Sequence, residues 1–223
     1  MSNSVNLTGE LIESGKSEGG LQVLPFYIVC DESSSMAGAS IQVVNDGIVE
    51  LFDEINADPI VDAKVRVGIV AFNDTARVLF PLTQLSDVTQ IPVCVASGST
   101  SYAAAFRLLK TQLETDMSNL RQHFNVRRPV VFFVTNGRPN DENWKDELNS
   151  LIDPDFFFRP HVVGIGVTGA EKSVVEDISH WEGVPGMKVF FTAESGGNPG
   201  DAIVEFIKPI FTAQPVITVT DGG

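Results

Sequence analysis

The sequence predicts an α/β domain: a doubly wound, mostly parallel central sheet with one antiparallel edge strand and helices on both faces. Three observations predict it. The strand-length apolar runs "PFYIVC" (25–30), "VRVGIVAF" (65–72), "RPVVFFVT" (128–135) and "HVVGIGV" (161–167) lack polar alternation, as strands buried on both faces do. Between them lie segments whose apolar residues recur at helical spacing, the alternation that builds a parallel sheet. One pair of runs, "VRVGIVAF" and "ARVLF" (76–80), is separated only by the turn "NDT". That connection is too short for a crossover, so the pair forms a hairpin and supplies the antiparallel edge.

Residues 1–20 are rich in Ser, Gly, Asn and Glu and read as a flexible tail. A single domain spans 21–213, and 214–223 form a second tail. After the first strand, Ile41, Val44, Ile48, Leu51, Phe52 and Ile55 mark an amphipathic helix. "IPVCVA" (91–96) reads as a short strand. Residues 101–123 read as a helix with Ala103, Phe106, Leu109, Leu113 and Leu120 inward, and 141–152 as a helix holding Trp144 and Leu148. A helix near 170–180, the strand "KVFFTA" (188–193) and a helix over 199–213 complete the alternation.

Composition narrows the function. The chain has 223 residues, is 43% hydrophobic and carries a formal charge of −14. So acidic a chain is repelled by nucleic acid and by anionic membrane, and neither is expected as a partner. No apolar run approaches the ~20 residues of a membrane span. The N-terminus lacks the basic start and apolar core of a secretory signal. Cys30 and Cys94, the two cysteines, each sit inside an apolar run and read as buried free thiols. A cytoplasmic location is the resulting expectation.

Ligands of open α/β sheets bind beyond the carboxyl ends of the strands. The first strand delivers Asp31, Ser33 and Ser35 there; the loop before the 101–123 helix delivers Ser99, Thr100 and Ser101; "FVTNGRPND" delivers Thr135, Asn136 and Asp141. These are hard oxygen donors, suited to a Mg²⁺-type cation rather than to zinc, which prefers His or Cys. Duller roles compete: Ser35 or Ser101 as helix caps, Asp31 as a turn residue, Asn136-Gly137 as a hairpin turn. Gly137 leads into Arg-Pro-Asn-Asp and a helix, not into a returning strand, which weakens the hairpin.

On these residues the chain resembles a known family. "DESSSM" (31–36) matches the Asp-x-Ser-x-Ser of von Willebrand factor A (vWA) domains, a Rossmann-like fold whose metal-ion-dependent adhesion site (MIDAS) binds Mg²⁺ or Mn²⁺. With "ADPIVDAKVRVGIVAFND", "VLFPLTQLSDV", "SGSTSYAAAF" and "FFVTNGRPND", the chain looks close to the bacterial tellurium-resistance-associated, TerY-like branch. The resemblance implies that Asp31, Ser33 and Ser35 form the first metal loop, that Thr100 supplies the second, and that Asn136 stands where the family usually has an aspartate. It implies Mg²⁺ (or Mn²⁺ or Ca²⁺) as cofactor and a non-enzymatic role. The partners it implies are proteins presenting an acidic residue to the ion, an associated kinase or phosphatase among them, in a stress-response or defence module. Asn136 removes a charge from the site and should weaken metal binding.

Two alternatives remain beside this expectation. The first is a scaffold whose metal site has degenerated at Asn136. The second is a Mg²⁺-dependent phosphoryl-transfer domain, since Asp31-Glu32 resembles the acidic pair of receiver domains. A receiver also needs an acceptor aspartate on a central strand and a lysine after a later one, whereas "AFND" ends the edge hairpin and "GIGVTG" has no lysine. No nucleophile elbow or phosphate-binding loop is present, and His123, His161 and His180 lack metal or triad spacing.

Overall fold

The computed structural model describes residues 20–181, 190–192, 199–200 and 203. Seven strands form one sheet: β1 (Gln22–Asp31), β2 (Val65–Phe72), β3 (Ala76–Thr83), β4 (Asn125–Val126), β5 (Val130–Thr135), β6 (His161–Gly166) and β7 (Phe190–Thr192). Their order is β3-β2-β1-β5-β6-β7, with the two-residue β4 pairing the start of β1. Among the described residues every strand-to-strand pairing is parallel except the β2–β3 hairpin, and a single antiparallel bridge joins Val162 of β6 to His180. The chain therefore winds outward from β1 to β2 and β3, then returns to the other side of β1 to lay down β5, β6 and β7. The reversal puts a crevice at the carboxyl ends of β1 and β5, the place where such sheets bind ligands.

Side chains alternate across β1, and each face meets its own core. Leu24, Phe26, Ile28 and Cys30 point to one face, against Val44, Ile48, Leu51, Phe52 and Ile55 of α1 (Ala39–Asn56). Val23, Tyr27 and Val29 point to the other, against Tyr102, Phe106, Leu109 and Leu113 of α3 (Tyr102–Leu120) and Trp144 and Leu148 of α4 (Trp144–Leu151). With α5 (Lys172–Ile178) contributing Ile178 to this second core, helices cover both faces as expected. A strand buried on both sides can carry few polar residues, so the polar side chains of β1 and β5 that face the crevice come at their ends, Asp31 and Thr135.

Close approach fixes one glycine. A Cβ on Gly164 of β6 would lie 2.6 Å from the Val175 carbonyl oxygen of α5. That gap lets Ser179 Oγ accept from Gly164 N at 3.1 Å while donating to Val175 O at 2.7 Å, tying helix to strand.

The expected strand at 91–96 is not one. Its alternation is inverted for a buried strand: Val93 and Val95 are 61% and 63% exposed while Cys94 is buried. Among the described residues no strand pairs with it. Side chains hold it instead, with Asn45 of α1 taking both backbone groups of Cys94 (2.8 and 3.0 Å) and Glu32 accepting from Val95 N at 2.8 Å. A short helix α2 (Pro59–Lys64), capped by Asp58, and strand β4 were not foreseen, because neither is long enough to show a period. Of the expected strand 188–193 and helix 199–213, residues 190–192 are strand and 199–200 and 203 are helical; the rest, like the two tails, lie outside the described residues.

Trp144 and Trp181 are packing residues: Trp144 sits edge-on to Tyr102, and Trp181 stacks on the buried His161 with ring centres 4.0 Å apart. Among the described residues no helix is long and apolar enough to cross a membrane.

Candidate metal centre

Parallel register sets Cys30 beside Val134, so the next residues, Asp31 and Thr135, reach the carboxyl edge together. Asp31 is fully buried. One of its oxygens accepts from Ser33 N at 2.8 Å and the other from Thr135 Oγ1 at 2.6 Å. Thr135 is held in turn: the Tyr102 hydroxyl lies 2.9 Å from Thr135 Oγ1 and 2.6 Å from the Gly137 carbonyl.

Beyond Asp31 the chain turns through a single 3₁₀ turn, Ser34–Met36, and folds two hydroxyls over the strand end. Ser33 Oγ and Ser35 Oγ are 2.9 Å apart, and Ser35 Oγ donates to Asn136 Oδ1 at 2.9 Å. The Asn136 amide closes the pair by donating to the Ser35 carbonyl at 2.7 Å. Ser35 thus caps no helix; the N-cap of α1 is Gly38.

Backbone ties bring in the third loop. Ser34 N donates to Gly98 O, Ser97 N to Glu32 O, and Asn140 N to Thr100 O. Gly98 has φ +73°, and a side chain there would run into the Asp74 carboxylate, which binds both Ser99 N and Ser99 Oγ. Those two bonds hold the Asp74 carboxyl below its ordinary value. Thr100, 5% exposed, sits between these anchors, and among the described residues its hydroxyl has no hydrogen-bond partner. Asp31, Ser33, Ser35 and Asn136 are in direct hydrogen-bonded sequence, and Thr100 is tied to the loops that carry them.

Three of the strand-end residues turn out to be structural. Asp141 is not a metal-site carboxylate: it accepts from Ser101 Oγ (3.0 Å), Tyr102 N (3.2 Å) and Ala103 N (2.6 Å), capping the N-terminus of α3. An anion there satisfies orphan amides and meets the positive end of the helix dipole. Ser101 is the N-cap itself, accepting from Ala104 N, and Ser99 serves Asp74. Glu32 points away, as its place next to Ser33 demands, into an ion pair with Arg77 at 2.6 Å.

Asp31 is left as a buried carboxylate with no cationic partner among the described residues. Burial pushes its pKa up, the Thr135 and Ser33 hydrogen bonds pull it back, and neighbouring Glu32 adds repulsion. A buried charge of this kind is ordinarily paired or bound to a metal. A carboxylate has about four lone-pair sites, so two hydrogen bonds leave room for a cation or its water. The donors around it are all oxygens, and no group of three His, Cys, Asp or Glu side chains suited to a metal occurs among the described residues. Such a set fits a hard divalent ion held by few carboxylates.

The von Willebrand factor type A domain model matches residues 26–202, most of the chain. The chain belongs to the VWA family. A search of curated proteins finds no match. Among solved structures, this VWA domain is similar to proximal thread matrix protein 1 of the mussel byssus (20% identity, TM-score 0.57), over 86% of the present chain and 48% of that one. Another structure of the mussel protein, with a zinc-occupied MIDAS motif, matches at 22% identity and TM-score 0.50, over 86% and 45%. The SpRpn10 VWA domain matches at 14% identity and TM-score 0.57, over 86% of this chain and 98% of that one. The chain thus spans about half the length of the mussel protein and nearly all of the SpRpn10 domain. At these identities the likeness shows the fold.

Two contributors were missed. Thr135 stands among the strand-end residues but outside the expected ligand set, although a lone polar residue closing "VVFFVT" was a usable signal. Tyr102 gave none, since an aromatic opening an apolar helix reads as core.

Proposed function

We propose that this VWA domain is a non-enzymatic interaction module. Asp31, Ser33, Ser35, Thr100 and Asn136 would hold a Mg²⁺-type ion (Mg²⁺, Mn²⁺ or Ca²⁺) that bridges to an acidic group of a partner protein. The observation that carries it is the buried carboxylate of Asp31 at the sheet's reversal point, faced by hydroxyls and with no cationic side chain beside it among the described residues. When bound, the ion supplies positive charge and an open position for a partner's carboxylate. The chain's own residues do the rest: Thr135 and Ser33 N orient Asp31, Tyr102 holds Thr135, and the Asn73-Asp74 turn seats the loop carrying Thr100. The zinc-occupied MIDAS motif of the mussel protein supports a metal role for the corresponding edge here. A cytoplasmic, tellurium-resistance-like or defence setting, with a kinase or phosphatase as partner, rests on the sequence motifs alone.

One observation favours the degenerate-scaffold alternative. The Ser35–Asn136 double hydrogen bond satisfies both residues without any ion. Calorimetric titration of chelator-stripped protein with Mg²⁺, Mn²⁺ and Ca²⁺ separates the two. Saturable binding that Asp31→Ala abolishes, with the fold intact, supports the bridge. Absence of binding in the parent chain leaves the scaffold.

A further inference from the structure

The strap at 91–98 turns two apolar side chains outward. Val93 and Val95 are 61% and 63% exposed and flank the buried Cys94, so both face the same side. The strap itself is firmly held. Asn45 takes both backbone groups of Cys94, and Glu32 accepts from Val95 N through its carboxylate and from Ser97 N through its carbonyl. Asn73 Nδ2 donates to Ser97 Oγ, and Ser34 N donates to Gly98 O. Two β-branched side chains are thus presented on a fixed backbone, and such groups lose little freedom when something packs on them.

These valines border the metal centre. Two residues span at most about 7 Å and Ser97 N lies 2.6 Å from the Glu32 carbonyl, so Val95 stands within about 10 Å of the backbone joining Asp31 to Ser33. A protein interface of ordinary size covers about 800 Å² on each side, a disc of radius about 16 Å. A partner seated on the ion with that footprint reaches the strap. Charge points to the same occupant. The chain carries −14, yet no charged residue lies between Glu32 and Asp46 or between Asp87 and Arg107, the stretches that hold Ser33, Ser35, the strap and Thr100. The carboxylates touching these loops are engaged: Glu32 by Arg77, Asp74 by Ser99, Asp141 by the α3 amides. An acidic partner, repelled by the chain as a whole, meets an uncharged rim here.

We propose that Val93 and Val95 are specificity-determining contacts, which select a partner segment carrying a large apolar side chain close to the carboxylate that reaches the ion. This rests on the metal-bridge reading and adds to it: the ion fixes one acidic group, and the strap decides which acidic segments stay. Covering the two valines with one large apolar side chain is enough to prefer such a segment about tenfold over one with serine in its place.

The test pans a random peptide library displayed on phage against the full chain in Mg²⁺ and elutes it with chelator. The eluted sequences should share an aspartate or glutamate with a large apolar residue within a few positions. The synthetic consensus peptide, titrated calorimetrically in Mg²⁺, should bind about tenfold more weakly once its apolar residue is serine, and about tenfold more weakly to the Val93→Ser/Val95→Ser chain. That chain should bind Mg²⁺ as the parent does, because both positions are exposed. Acidic peptides with no apolar neighbour, no chelator-eluted peptide from a chain that binds Mg²⁺, or equal affinity of the consensus peptide for parent and double variant would each overturn this inference while the Mg²⁺ site still stands. Failure of the parent chain to bind Mg²⁺ would overturn the metal-bridge reading and this inference together.

Discussion

Replacing Asn136 by aspartate tests the metal centre most directly, because the structure sets two effects in the same direction. Asn136 Nδ2 donates to the Ser35 carbonyl at 2.7 Å, while its Oδ1 accepts from Ser35 Oγ. Aspartate keeps the second bond and turns the first into two oxygens facing each other. Without metal this should cost about 1–3 kcal/mol, nearer the lower figure because the pair is exposed. With metal the added charge attracts the ion. For scale, a unit charge about 4 Å from a divalent cation gains about 2 kcal/mol in bulk water and about 8 kcal/mol at an effective dielectric constant near 20. Even the lower figure is roughly a 30-fold gain in affinity. Loosening the Ser35–Asn136 clasp frees the Ser35 hydroxyl and adds to the gain. Titration of chelator-stripped parent and Asn136→Asp with Mg²⁺, with urea unfolding in chelator and in saturating Mg²⁺, reads both effects. The variant should unfold earlier in chelator and later in Mg²⁺. Equal or weaker Mg²⁺ affinity in the variant, with its fold intact, would show that Asn136 does not border the ion and would refute the reasoning.

Three further outcomes are expected. Asp31→Asn should stabilise the metal-free chain at neutral pH while losing metal binding. The Asp31 carboxyl is raised above its ordinary 3.8 in the fold, so its favourable contribution is complete below that value and is lost as pH rises through the folded pKa. The variant's advantage in urea should therefore widen with pH; a variant less stable than the parent at neutral pH would mean that the carboxylate is compensated. Asp141→Ala should lower stability by about 2 kcal/mol through loss of the α3 cap, yet leave metal affinity unchanged once folded; a folded variant that no longer binds metal would return Asp141 to the site. Gly164→Ala should cost about 1–3 kcal/mol or more in chemical denaturation, since its Cβ meets the α5 backbone rather than a side chain that can swing away; an unchanged midpoint would mean that α5 is free to shift.

The sequence by itself determined the layers, the parallel strands, the antiparallel hairpin and the edge at which chemistry gathers. Apolar runs of strand length without alternation suit strands covered on both sides, and helical spacing between them leaves few ways to wind. It also brought Asp31, Ser33, Ser35, Thr100 and Asn136 forward, because polar residues packed at the end of a buried strand are conspicuous. Only the tertiary structure decided which of the strand-end oxygens are taken up by the fold's own hydrogen bonds. Asp141 comes after the strand that ends in Thr135, yet its carboxylate turns to the amides opening α3; Glu32 adjoins Asp31, yet pairs with Arg77 on the far side. Hydrogen-bond direction and burial set those assignments, and both depend on neighbours tens of residues away. The run at 91–96 shows the converse. Its composition suits a strand, but a strand needs a partner backbone, and here Asn45 and Glu32 side chains supply the bonds instead.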